Sequence, residues 1–199
     1  MQKIAVYGGT FNPIHNGHIH LARQFAIKLG IDRVLLIPTR IPPHKQAHDL
    51  ASAEDRLEMC RLASQDHIFT VSDMEIHREG PSYTSDTLLE LKRQNPGCEL
   101  YLFMGEDMFI TVQDWYQPEI LFSVATLCAA PRSREGLQSL YDHARKLEKC
   151  GAKTAICNIK FLPISSTMIR NAVKNGKSIS GLVSPAVEDY IREKRLYME

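Results

Sequence analysis

Short runs of β-branched and aliphatic residues alternate with amphipathic stretches along the whole chain, and this alternation limits the fold more than any other feature. The runs fall at residues 4–7, 34–37, 69–71, 100–104, 124–129 and 159–162. Each is bounded by Gly, Pro or polar residues, as buried strands are. Between them the spacing turns helical. His18, Ala22, Phe25 and Leu29 sit at i, i+4, i+7 and i+11, and Gly30 follows as a stop. Ser52-Ala53-Glu54-Asp55 resembles a capping box, with Asp in place of the usual Glu or Gln, and opens a helix to about Ala63. Residues 84–93, 136–149 and 165–174 form further helices, and Ser184-Pro185 starts a last one that runs to about Arg195. Strand–helix alternation over 199 residues predicts an α/β, single-domain chain. Its sheet is mostly parallel and doubly wound, with helices on both faces. Ligands of such sheets bind at the carboxyl ends of the strands, which directs attention to residues 8–18, 38–45, 105–107, 131–134 and 163–170.

Composition removes several alternatives. Lys and Arg total 24 against 23 for Asp and Glu, a net charge of +1, which argues against a bulk nucleic-acid binder. With 44% hydrophobic and 24% charged residues, disorder, collagen and coiled coil are excluded. The longest uncharged apolar stretch, residues 120–131, contains Ser123 and Thr126 and is too short to span a bilayer. The N-terminal apolar run stops at Gly8-Gly9 and lacks a signal-peptide core, so a cytoplasmic location is expected. The five cysteines form no C-x-x-C pair and read as reduced thiols.

The first loop is Gly8-Gly9-Thr10-Phe11-Asn12-Pro13-Ile14-His15-Asn16-Gly17-His18. Two glycines let backbone approach a ligand closely. The loop then enters a helix, whose free N–H groups and dipole favour an anion. His15 and His18 flank that helix start and can donate to phosphate oxygens. A Walker loop would need G-K-[ST], which is missing, and G-x-G-x-x-G is absent too. Strand two ends Pro38-Thr39-Arg40 with no acid for a ribose, which counts against a dehydrogenase. Zinc would call for H-E-x-x-H or a nearby Cys beside His15, His18 and His20, and neither is present. Near the other end, Ser165-Ser166-Thr167 opens a helix. One hydroxyl suffices for a cap, so the surplus can form a second anion cradle. Arg170 lies one turn along, and its guanidinium suits phosphate oxygens. Two helix N-termini facing one crevice can hold a triphosphate.

These residues carry a resemblance. Gly8-Gly9-Thr10-Phe11-Asn12-Pro13 with His15-x-Gly17-His18 resembles the H-x-G-H signature of the Rossmann-like nucleotidyltransferase superfamily. Ile164-Ser165-Ser166-Thr167-Met168-Ile169-Arg170, about 150 residues later, resembles its I-S-S-T-x-x-R partner. Pro42-Pro43-His44-Lys45, Arg56-Leu57-x-Met59, Asp73-Met74-Glu75 with Ser82-Tyr83-Thr84-x-Asp86-Thr87-Leu88, and Gly105-x-Asp107…Trp115 are similar to blocks of the bacterial nicotinate-mononucleotide adenylyltransferase family. Pantetheine-phosphate adenylyltransferases carry T-x-G-H instead, and cytidylyltransferases lack the middle blocks. The resemblance spans nearly the whole chain, with the second signature in a helical part at about residues 165–199.

The resemblance implies transfer of the adenylyl group of ATP to nicotinate mononucleotide, giving deamido-NAD and pyrophosphate without a covalent enzyme intermediate. It assigns catalysis to His15, His18 and Arg170. ATP would be bound by Gly8, Gly9, Thr10, Phe11, His15, His18, Gly105, Asp107, Ile164, Ser166, Thr167 and Arg170, with Asp107 on the ribose. Lys45, Thr84, Trp115, Tyr116 and Arg132 would hold nicotinate mononucleotide, with Arg134 competing for the role of Arg132. Trp115 stays open between a stacking face for the pyridine and a core anchor. Mg2+ would come bound through the ATP phosphates, with no metal ligand from protein side chains. Neither nucleic acid nor membrane is an expected partner, and a homodimer stays open. A related transferase with another acceptor, or a non-catalytic nucleotide-binding module, would share the fold. Two departures stand out: Asn12 occupies a position often Asp in the family, and Glu106 is bulkier than the small residue often found between Gly105 and Asp107.

Overall fold

Among the described residues six strands pair in parallel: β1 (Lys3–Gly9), β2 (Arg33–Pro38), β3 (Phe69–Val71), β4 (Glu99–Gly105), β5 (Ala125–Ala130) and β6 (Lys153–Ile156), in the order β3-β2-β1-β4-β5-β6. This computed structural model describes residues 1–40, 50–133 and 135–198. Lys45, with the Pro42–Pro43–His44 stretch before it, and Arg134 therefore lie outside the described residues.

Side-chain alternation along the strands divides the core in two. Ala5, Tyr7, Val34, Leu36, Phe103 and Cys128 face one side, beneath α1 (Asn16–Leu29), α2 (Ala53–Ala63), α7 (Ser166–Lys174) and α8 (Pro185–Glu193). Ile4, Val6, Leu35, Leu102 and Leu127 face the other, beneath α3 (Thr84–Gln94), α4 (Glu106–Ile110), α5 (Pro118–Val124) and α6 (Gly136–Lys149). The caps follow the sequence. Gly30 closes α1 in the left-handed region at φ 62°, which glycine adopts without steric cost. The Ser52 hydroxyl accepts from Asp55 N–H at 3.0 Å to start α2.

Two expectations shift. The sixth strand lies at residues 153–156, not 159–162. As an edge strand paired only with β5, it is exposed or half-buried along its length, so it lacks the apolar run of an inner strand. The more apolar stretch after it lies outside the sheet, where Ile159 is buried in the core as irregular chain. The apolar run at 120–131 is split between α5, with Pro118 in its first turn, and β5. Among the described residues no helix is long and apolar enough to cross a membrane.

The chain winds outward from β1 to β2 and β3, then returns to the other flank of β1 with β4. The carboxyl ends of β1 and β4, at Gly9 and Gly105, therefore border the topological switch point. That is where open α/β sheets form their ligand crevice.

Candidate active site

The β1–α1 loop carries both histidines of the first motif. His15 is the N-cap of α1, and the two residues cap each other. His18 N–H donates to His15 Nδ1 at 3.3 Å, and His15 N–H donates to His18 Nδ1 at 3.2 Å. The rings stack with centroids 3.6 Å apart. Each Nδ1 acts as an acceptor, so the ring proton of each neutral imidazole belongs on Nε2. Both side chains are thereby fixed as Nε2–H donors. Burial lowers the His15 pKa from 6.5 to about 4, because the cation cannot be solvated there. The glycine between them leaves the His15 ring its room. A Cβ on Gly17 would sit 3.0 Å from His15 Nδ1 and 3.1 Å from its Cε1. Phe11 holds a left-handed backbone at φ 47°, a conformation a bulky residue keeps only when its surroundings impose it. Its ring meets His18 edge-on at 5.2 Å and Tyr7 at 5.7 Å.

The second motif docks directly on this loop. Ser165 caps α7 by accepting from Met168 N–H at 3.1 Å. The Ser166 hydroxyl donates to the Pro13 carbonyl at 2.9 Å, and Arg170 Nη1 donates to the Asn12 carbonyl at 2.9 Å. Arg170 Nη2 reaches Thr167 Oγ1 at 3.4 Å, while its Nε is buried with no hydrogen-bond partner among the described residues. Stretches more than 150 positions apart in sequence thus form one structure, with hydroxyl, guanidinium and imidazole donors grouped at two helix starts. Both Ser166 and Arg170 already bond to loop carbonyls, so each has a structural task beside any ligand contact. Ile164 is half-buried, its N–H bonded to Leu162 O at 2.8 Å.

At the end of β4, Asp107 pairs with Arg132 at 2.7 Å, both well exposed. Glu106 accepts from the Arg132 backbone N–H at 2.6 Å, and its carboxylate lies where a Cβ on Gly136 would come within 2.5 Å. The bulk of Glu106 is accommodated by a glycine at the start of α6. Arg132 and Asp107, expected to serve different substrates, are here each other's partner. Thr84 opens α3 after an N-cap, Tyr83, that offers no side-chain acceptor, so the first-turn N–H groups have no side-chain cap. Tyr83 stacks on Tyr116 with centroids 4.2 Å apart. That stack ties the residue before α3 to Tyr116. Trp115 is half-buried and packs against the core beneath α3–α6. Its packing is that of a core anchor, with part of the side chain left open.

Residues 6–172 match a family model described as cytidylyltransferase-like. The chain is 41% identical over 203 residues to a probable nicotinate-nucleotide adenylyltransferase of Synechococcus sp. (strain JA-3-3Ab), with 100% of this chain and 96% of the relative covered. It is 39% identical over 204 residues to the protein of that name from Neisseria meningitidis serogroup B (strain ATCC BAA-335 / MC58), covering 99% of each. The chain belongs to the nicotinate-nucleotide adenylyltransferase family. A solved Plasmodium falciparum nicotinic acid mononucleotide adenylyltransferase, complexed with NaAD, shares the fold at a TM-score of 0.80. Its sequence identity is 21%, over 99% of this chain and 98% of that one.

Several residues that shape this region have roles that linear spacing does not display. Tyr83 is one, because a ring stack across α3 and the 115–117 segment has no signal in linear spacing. Arg56 and Tyr197 are others. Arg56 belongs to a recognisable motif, yet among the described residues its hydrogen bonds all go to backbone carbonyls, which a sequence does not display. Tyr197 lies 185 positions from Asn12, whose Oδ1 it reaches at 2.8 Å.

Proposed function

We propose that this chain transfers the adenylyl group of ATP to nicotinate mononucleotide, with release of pyrophosphate. The observation that carries this reading is the docking of the Ser166 hydroxyl and the Arg170 guanidinium on the carbonyls of the loop that carries His15 and His18. A phosphate oxygen of nicotinate mononucleotide attacks the α-phosphorus of ATP. The new P–O bond forms as the bond to the β-phosphate oxygen breaks, and the electron pair leaves with pyrophosphate. Such a transfer needs alignment and stabilisation of charge, not a protein nucleophile. His15 and His18 supply it as neutral Nε2–H donors, with His18 at the reacting phosphorus. Their geometry is set before substrate arrives, so no reorganisation is needed as charge builds. Thr167, Arg170 and the first-turn N–H groups of α7, that of Ser166 among them, hold the β- and γ-phosphates, while the Ser166 hydroxyl stays on the Pro13 carbonyl. Gly8, Gly9, Thr10, Phe11, Gly105 and Ile164 line the nucleotide, and Asp107 accepts from the ribose once its bond to Arg132 opens.

The donors grouped at the two helix starts are imidazole, hydroxyl, guanidinium and amide. They fit phosphate oxygens and so fit Mg2+ that arrives on the ATP phosphates, where it neutralises charge when bound. For the acceptor, Trp115 offers a face to the pyridine. The N–H groups of Thr84 and Tyr116 meet its carboxylate, while Lys45 and Arg132 serve its phosphate. Donors without acceptors at that point favour the acid over the amide.

Pyrophosphate release measured with nicotinate mononucleotide, nicotinamide mononucleotide and phosphopantetheine as acceptors tests the reading. Nicotinate mononucleotide is expected to give the highest kcat/KM. A higher value with either of the others overturns it.

A further inference from the structure

Among the described residues Arg56 is the largest fully buried side chain, at 0% exposure, and it has no carboxylate partner there. Its guanidinium donates instead to three backbone carbonyls: Nε to Ala51 at 3.1 Å, Nη1 to Thr10 at 2.7 Å and Nη2 to Arg40 at 3.1 Å. A buried cation is a costly way to fill a core, and an apolar side chain of similar volume packs at least as well. What only a guanidinium provides is a rigid fork of donors. Here the fork joins the ATP loop, the end of the β2 segment and the residue before the α2 cap.

A second tie lies at the same junction. Asn12 Oδ1 accepts from the Ala51 N–H at 3.1 Å and from the Tyr197 hydroxyl at 2.8 Å. Tyr197 itself takes a left-handed backbone at φ 64°. Thr10 and Asn12 flank Phe11, whose own φ is positive. The loop therefore holds a strained residue fastened on both sides from outside.

We propose that Arg56, together with Tyr197 acting through Asn12, is a positioning residue for nucleotide binding: the two hold residues 10–12 in the strained form that receives ATP and fasten them to Ala51 at the entrance to α2. This rests on the reading that the loop receives ATP. The test is calorimetric titration with α,β-methylene-ATP, which needs no acceptor. Arg56→Lys keeps the charge but loses the fork, and Tyr197→Phe removes one hydroxyl. The dissociation constant is expected to rise about tenfold in Arg56→Lys and about threefold in Tyr197→Phe. The kcat at saturating ATP is expected to change less than the dissociation constant. A merely structural role would lower the number of binding-competent molecules and leave the constant unmoved, and that result in both variants overturns the proposal. If Arg56→Lys does not fold, Tyr197→Phe decides alone, and an unchanged constant overturns it. A wild-type chain that fails to bind the analogue overturns the functional reading and this one with it. Binding by the wild type with constants unmoved in the variants sinks only the positioning role.

Discussion

Protonating His15 should unfasten the first turn of α1, and the cost can be worked from its surroundings. The side chain is 7% exposed, and Nδ1 accepts the His18 N–H. A second ring proton would occupy that nitrogen, so the cation would lose the cap as well as its hydration. Burial places the folded pKa at about 4, against 6.5 in an unfolded chain. Above 6.5 both states are neutral and the contribution to stability is intact. As pH falls below 6.5 the unfolded chain takes up a proton that the folded chain refuses, and stability is lost progressively until about pH 4. The full loss is about 3 kcal/mol at 1.36 kcal/mol per unit. Urea unfolding across this range, compared between wild type and His15→Asn, isolates the term, because Asn caps a helix well and does not titrate. The carboxylates common to both proteins cancel in the difference. The wild type should lose about 1.4 kcal/mol more per pH unit than the variant below pH 6. Parallel loss in the two proteins would refute the claim that His15 is held neutral as a cap.

His18→Ala should lower kcat by about a thousandfold or more while the circular dichroism spectrum stays native, as expected for loss of a donor at the reacting phosphorus; near-normal turnover would remove it from that role. Gly17→Ala pushes a methyl against the His15 ring, 3.0 Å from Nδ1, and should cut kcat/KM by at least about tenfold through misplacement of the imidazole, measurable by pyrophosphate release. Thr87→Val should destabilise the fold by about 2 kcal/mol in urea. It strips a buried hydroxyl that donates to Glu75 at 2.7 Å and accepts from Arg78 at 2.8 Å.

Most of the architecture could be read from the chain because its inner strands are buried on both faces and its helices carry stops. Gly30, Ser52 and Ser184 each mark a boundary that the structure keeps. Legibility failed where burial and sequence part company. An edge strand such as residues 153–156 needs few apolar side chains, and the short helix at 118–124 hides within an apolar run that continues into β5. The two motifs were legible because helix starts impose local chemistry on the residues at 15–18 and 165–170. Their mutual bonds were not. Whether Ser166 points at a ligand or at the Pro13 carbonyl, and whether Arg132 pairs with Asp107, depends on loops brought together by the sheet order. The Tyr197 phenol acts on Asn12 from the far end of the chain, which no periodicity encodes.

A crystal structure with α,β-methylene-ATP bound tests the central claim most directly. Nε2 of His15 or His18, together with the first turn of α7, is expected within about 3 Å of oxygens on the same polyphosphate. A polyphosphate that touches only one of the two motifs, or that lies elsewhere on the sheet, would contradict it.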